Sequence, residues 1–225
     1  AQKTEELIDD LAGRVQGGKT QIEGEIKLTT LAPFAAFLMG AIAQFRVQNP
    51  QCLVRIDVGE DLAKLEYGEA HIALRAGAKP DHPDYVVTQF GDVSFNLYAH
   101  DSYIARHGLP VNLDDFSDHT FVLQQLPHDR LPFGSWIKDY IRPEMVALSS
   151  RDIWVTTKAI LAGIGLGFVN DAEAQTHGNL QRVLPPNPDW SATGWLVTHV
   201  DLHRTEKVQA MMRCIKANRA SNPAQ

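Results

Sequence analysis

The spacing of apolar and polar positions changes several times along the chain, and each change marks an element. Ile26 to Thr30 alternates with a period of two, the signature of a half-buried strand. Pro33 suits the first turn of a helix. Phe34, Phe37, Leu38, Ala41, Ile42 and Phe45 then recur at helical spacing until Asn49-Pro50 ends the run. "LVRIDV" (53–58) predicts a second strand, Asp61 to Tyr67 a short helix, and Ile72-Ala73-Leu74 a third, buried strand. This βαβαβ rhythm points to a parallel sheet with crossover helices.

A Pro- and Gly-rich loop (77–84) precedes predicted strands at 85–90 and 94–99 and a helix at 102–107 that ends at Gly108. A second series follows: strand 120–123, helix 135–141, strand 145–148, helix 152–162 and strand 166–169. "WLVTHV" (195–200) reads as a returning strand, and 205–219 as a last helix with Val208, Met211, Met212 and Ile215 inward. At the other end, Leu7, Ile8, Leu11 and Val15 form one stripe in "TEELIDDLAGRV". A helix so short and charged needs a longer helix or a partner to be stable.

Two successive series predict an α/β fold of two Rossmann-like lobes with a cleft between them. Lobe I is expected over 24–100 plus 200–220, and lobe II over 101–199. Residues 1–23 make a helix end and connector. Ligands of open α/β sheets bind beyond the carboxyl ends of strands. Those ends carry Thr29, Thr30, Arg75, His100, Gln124, Ser149, Ser150 and Asn170, which suits a small polar or anionic guest. Leu31, Gly77 and Phe168 flank them and complete the candidate effector site. Arg75 leaves a buried strand, where an unpaired charge is costly. Either it pairs with an acid such as Glu60 or Asp61, or it borders the pocket and favours anions.

Composition narrows the classes. The net charge is −6 and no Lys/Arg cluster appears, so this chain alone is a poor duplex binder. No stretch approaches the roughly 20 apolar residues of a membrane span. Cys52 and Cys214 are far apart and form no CxxC, which points to buried free thiols in a reducing compartment, with a regulatory disulfide between them as the alternative. "AGIGLG" (162–167) follows a helix and enters a strand, the reverse of a dinucleotide fingerprint. It reads as a helix C-cap and tight turn. "FGSW" (133–136) lacks the second glycine of a nucleophile elbow. His199, Asp201 and His203 lack further ligands to complete a metal shell and read as solvated residues or a helix entry. No cofactor, metal or catalytic residue is expected. The hydroxyls of Thr29 and Thr30 suit capping of the Pro33 helix as well as ligand binding.

Four segments, in order, resemble one family. They are "GEIKLTTLAPFAAFLMGAIAQFRVQNPQCLVRIDV", "AHIALRAG", "SYIARHGLPVNLDDFSDH" and "KAILAGIGLGF". They look like the effector-binding domain of LysR-type transcriptional regulators, over about Gly24 to Ala217. The resemblance implies a periplasmic-binding-protein type II-like fold and a small-molecule effector. It also implies a homodimer (a tetramer in the full-length protein) paired through the 34–47 helix and the 53–58 strand. Contact with RNA polymerase, a cytoplasmic location and no membrane association follow on the same grounds. DNA would be bound only through a winged helix-turn-helix outside these residues, with residues 4–15 as the tail of its linker helix. His71 stands where the family usually has Asp, and Asn170 where it usually has Pro. His71 is then either a structural substitution or a group that titrates near neutral pH, and Asn170 either a helix cap or a ligand reader. A periplasmic-type solute receptor shares the architecture and is the alternative. A small α/β transferase would need a phosphate loop or catalytic pair, and neither is found.

Overall fold

The computed structural model describes residues 22–59, 69–110, 112–127 and 130–221. The expected helices at 4–15 and 61–67, and the candidate acids Glu60 and Asp61, lie outside them. The chain divides into two compact units. Unit one runs to Gly91 and resumes at Thr193; unit two is Asp92–Ala192.

Unit one is built on β1 (Gly24–Thr30), α1 (Ala32–Gln48), β2 (Cys52–Val58) and β3 (Ile72–Ala76), with β9 (Ser191–His199) returning late in the chain. Its strand order is β2-β1-β3-β9. β1 is parallel to both β2 and β3, and β9 is antiparallel to β3. α1 takes Pro33 in its first turn, where a missing N–H costs nothing. Asn49 ends it, with its backbone N–H and its side-chain Nδ2 both donating to the Phe45 carbonyl, at 2.9 and 3.0 Å. α6 (Val200–His203) and α7 (Glu206–Ser221) close the unit, and α7 packs on α1.

Phe34, Leu38, Ala41 and Phe45 of α1 are buried inside this unit. This alters the expectation that the broad face of 34–47 meets a second subunit, because most of that face already serves the unit's own core. The apolar residues left exposed are Met39 and Val47 on α1, and Leu53 and Val58 on β2, the strand at the sheet's edge.

Unit two orders its strands β4-β7-β5-β6, with short β8 (Leu180–Arg182) beside β4. These are β4 (Tyr85–His100), β5 (Phe121–Gln124), β6 (Val146–Ser150) and β7 (Leu166–Asn170). The helices are α2 (Asp101–His107), α3 (Gly134–Tyr140), α4 (Ile153–Leu161) and α5 (Asp171–Gln175). Both sheet faces are buried. Leu97, Ala99, Phe121 and Leu166 pack with Tyr103, Phe116 and Met145, while the alternate residues Tyr98, Val122 and Val169 pack with Ala159, Ile160 and Ala174. Each fully buried Leu or Phe stabilises by about 1.5–3 kcal/mol. Burial on both faces makes such strands read as continuous apolar runs.

The two strands expected at 85–90 and 94–99 are continuous with each other. β4 is one strand of 16 residues. Gly91 lies within it at φ 138°, a backbone conformation that glycine adopts without steric cost. "AGIGLG" behaves as expected. Gly163 adopts φ 70° after the C-cap Ala162, and a Cβ on Gly165 would lie 2.6 Å from the Thr120 carbonyl oxygen. These glycines serve a turn and a close strand approach. β8 was not foreseen, since three residues with only Leu180 apolar give no periodic signal.

Candidate functional site

In unit one, parallel pairing aligns Thr30 with Val58 and with Leu74, so Arg75 projects one residue past Thr30. Thr29, Thr30 and Arg75 are all buried. Arg75 Nη2 donates to Thr29 Oγ1 at 2.8 Å, and Nη1 to the Leu74 carbonyl at 3.1 Å. Burial pushes the Arg75 guanidinium below its usual pKa, the sign that desolvation weighs against its charge. Gly77, at φ 104°, donates its N–H to Thr193 O at 3.0 Å, and its carbonyl accepts from Trp195 Nε1 at 2.8 Å.

Neither threonine caps α1. The N-cap is Leu31, with no side-chain cap. Thr29 Oγ1 is engaged by Arg75, and the Thr30 hydroxyl donates to the Leu31 carbonyl at 3.3 Å. His71 is buried, and its Nδ1 accepts from the Lys27 N–H at 2.9 Å while its own N–H donates to Lys27 O at 2.8 Å. That reciprocal clamp gives His71 a structural task at the entry of β3.

In unit two, β5 is parallel to β6 and β7, so three carboxyl ends meet at one edge. Gln124 pairs with Ser150 and Leu123 with Ser149. β4 is antiparallel to β7, so Phe95 stands beside Asn170. His100 therefore does not join this edge, which corrects the expectation that all the strand ends coincide. It pairs with Leu180 of β8 and caps α2, its Nδ1 accepting from the Ser102 N–H at 3.0 Å. Asn170 caps α5, its Oδ1 accepting from the Glu173 N–H at 2.8 Å. Ser150 Oγ accepts from the Asp152 N–H at 3.1 Å, and Ser149 is exposed. His199 caps α6 by accepting from the Asp201 N–H at 3.2 Å, the helix-entry role read from the sequence. No group of His, Cys, Asp and Glu suited to a metal ion occurs among the described residues.

A shallow pocket lies at the carboxyl end of β5. Gln124 and Phe168 line it together with Phe95, Phe133, Ile153 and Thr156, over a floor of Val122 and Leu123. The Phe133 and Phe168 rings stack, with centroids 3.9 Å apart and planes 4° from parallel. Trp190 and Trp136 meet Phe168 edge-on, at 5.0 and 5.6 Å. Sequence reading missed Phe95, Phe133, Ile153 and Thr156. Only the density of aromatic residues in this half hints at them.

The family model described as the LysR substrate binding domain matches residues 19–220. The chain belongs to this family. A curated relative, an HTH-type transcriptional regulator of Xanthomonas campestris pv. campestris (strain 8004), is 28% identical over 215 residues. That alignment covers 88% of this LysR domain and 57% of the relative, so the chain spans little more than half of the relative's length. Among solved structures, the CrgA regulatory domain of Neisseria meningitidis matches with a TM-score of 0.71 at 18% identity, over 87% of this chain and 99% of that one. The full-length Vibrio cholerae virulence activator AphB matches at 0.68 and 16%, over 95% and 75%. These likenesses establish the α/β fold of LysR regulatory domains, which is periplasmic-binding-protein type II-like. The named relatives are regulators of transcription. No described helix is long and apolar enough to cross a membrane.

Proposed function

We propose that this LysR domain is the effector-sensing part of a bacterial, cytoplasmic transcription factor. A small polar or anionic effector binds at the polar strand ends and biases the assembly state, and with it DNA binding by the whole protein. The observation that carries this reading is the pair Thr29 and Arg75, buried together at the carboxyl ends of parallel strands. A buried guanidinium whose fork also reaches a hydroxyl suits a carboxylate or similar anion. The effector acts only in so far as it binds one assembly state better than another.

The assembly is a homodimer (a tetramer in the full-length protein) formed through the edge strand β2 and the exposed flank of α1, where Met39, Val47, Leu53 and Val58 stand out. DNA is reached through a winged helix-turn-helix outside these residues, and RNA polymerase is the further partner. An enzyme or a free solute receptor is not favoured, because the named relatives are transcriptional regulators.

The test is a thermal-shift screen of small carboxylates on the 225-residue chain, alongside sedimentation. At least one carboxylate should raise the midpoint of the wild type but not of Arg75→Ala. Sedimentation should give twice the 25.0 kDa chain mass. No stabilising carboxylate would overturn the anion reading, and particles of single-chain mass at high micromolar concentration would overturn the dimer.

A further inference from the structure

We propose that Tyr103 and His119 form a proton-operated joint in unit two. With His119 neutral, the tyrosine hydroxyl donates to His119 Nδ1 and ties the turn that leads into β5 to α2. A proton on that nitrogen undoes the tie. The joint gives unit two a response to pH that needs no effector, and it does not rest on the effector-sensing reading.

The hydrogen bonds around Tyr103 fix the direction of its proton. Tyr103 of α2 and His119 are both buried. The Tyr103 hydroxyl oxygen accepts from the Thr120 backbone N–H at 3.0 Å. Thr120 Oγ1 lies 3.5 Å from the same oxygen, and its own proton goes to the Ile164 carbonyl at 3.0 Å. Among the described residues, the other short partner of the hydroxyl is His119 Nδ1, at 3.1 Å. The phenol proton therefore points at Nδ1, which must be the bare nitrogen of a neutral ring with its proton on Nε2. A second proton turns Nδ1 into a donor. The pair then faces donor to donor, or the phenol proton swings to Thr120 Oγ1 across 3.5 Å, too far for a good O–H···O bond.

The tie sits at the entry of a central strand. His119 ends the 3₁₀ turn Asp114–Asp118, its N–H donating to the Phe116 carbonyl at 3.1 Å. Thr120 leads into β5, and its carbonyl accepts from the Leu166 N–H of β7 at 2.8 Å. The titratable and charged groups that face His119 are Tyr103 and His107 of α2, and Asp115 and Asp118 of the turn. The His107 ring stacks on Tyr103, with centroids 4.6 Å apart and planes 28° from parallel. Burial first, and the charge of His107 second, hold His119 below its usual value, while Asp118 and Asp115 pull the other way. The fold thus favours neutral His119, and acid works against the joint.

The test is NMR on the 225-residue chain, with amide hydrogen exchange followed from about pH 8 to about pH 5, the range in which histidines change charge. At neutral pH the ¹⁵N shifts should show the His119 proton on Nε2. As His119 takes up its second proton, protection of the Thr120 amide, corrected for the intrinsic pH dependence of exchange, should fall roughly threefold to tenfold, as for the loss of one hydrogen bond. Tyr103→Phe should lose that protection already at neutral pH. His119→Asn, which keeps an acceptor but takes up no proton, should show no such fall, and His107→Ala should still show it. The proposal is overturned by a proton on Nδ1 at neutral pH, by His119 still neutral at the acid end, or by Thr120 protection that stays unchanged while His119 titrates. An acid response as large as the wild type's in His119→Asn, or one that vanishes in His107→Ala, overturns it too. If a variant fails to fold, the wild-type tautomer and titration carry the test alone.

Discussion

The two units repeat one topology and end it in opposite chemistry. In unit one, parallel β1 and β3 finish at Thr29, Thr30 and Arg75, a buried cation tied to a hydroxyl. In unit two, parallel β5 and β7 finish beside stacked phenylalanines and an uncommitted amide, with no charge in the lining. Topology fixes where a strand end lies, and the side chains at that end decide what it recognises. The unit-one end is held by internal hydrogen bonds from both Arg75 Nη atoms, so changing it should cost stability. The Gln124 amide of unit two makes no side-chain hydrogen bond among the described residues, so changing it should cost little stability.

The largest effect is expected at Phe133, which is both a pocket wall and a buried core residue. Phe133→Ala should destabilise the chain by about 3–5 kcal/mol in urea unfolding. A loss well under 1 kcal/mol would mean that the Phe133–Phe168 stack is not a packing element.

Next is Thr29→Val, which keeps the shape and deletes the oxygen that accepts from Arg75. A hydrogen bond to a charged group contributes about 1.5–3 kcal/mol, and the variant should lose that much in the same measurement. Wild-type stability in this variant would place the guanidinium in solvent.

Acid should weaken both units. Burial, and then His107, holds His119 below the ordinary histidine value of 6.5 in unit two. Burial, Lys216 and Arg204 do the same to His203 in unit one. Both folded-state values lie below the unfolded one. The unfolded chain therefore takes up protons first, and stability present above pH 6.5 declines as pH falls through and below that value. His119→Asn should flatten part of that decline in unfolding midpoints measured between neutral and mildly acidic pH. A decline as steep as the wild type's would remove His119 from the account.

The smallest effect is expected at Gln124. Gln124→Leu should change unfolding free energy by no more than about 0.5 kcal/mol, as is usual where no partner is lost. A large loss would reveal a structural role for the amide and erase the contrast between the two strand ends.

Much of this was legible in the sequence because it is local. The βαβ rhythm, Pro33 at the start of α1 and the glycine turn at 163–165 follow from spacing and capping over a few residues, and the caps at Asn170 and His199 were each one of two readings that local spacing left open. What depends on distant pairing was not. The antiparallel direction of β4 puts His100 at the wrong edge, and no local pattern encodes that direction. The aromatic wall draws Phe95, Phe133, Trp136, Phe168 and Trp190 from separate elements, so it has no period to detect. The face of α1 was legible as apolar, but whether a core or a second subunit covers it is decided by α7, more than 150 residues away.

The contrast between the two strand ends is tested most directly by urea unfolding of Thr29→Val and Gln124→Leu side by side. The account predicts a loss of about 1.5–3 kcal/mol for Thr29→Val and of no more than about 0.5 kcal/mol for Gln124→Leu. Equal losses in the two variants would contradict it.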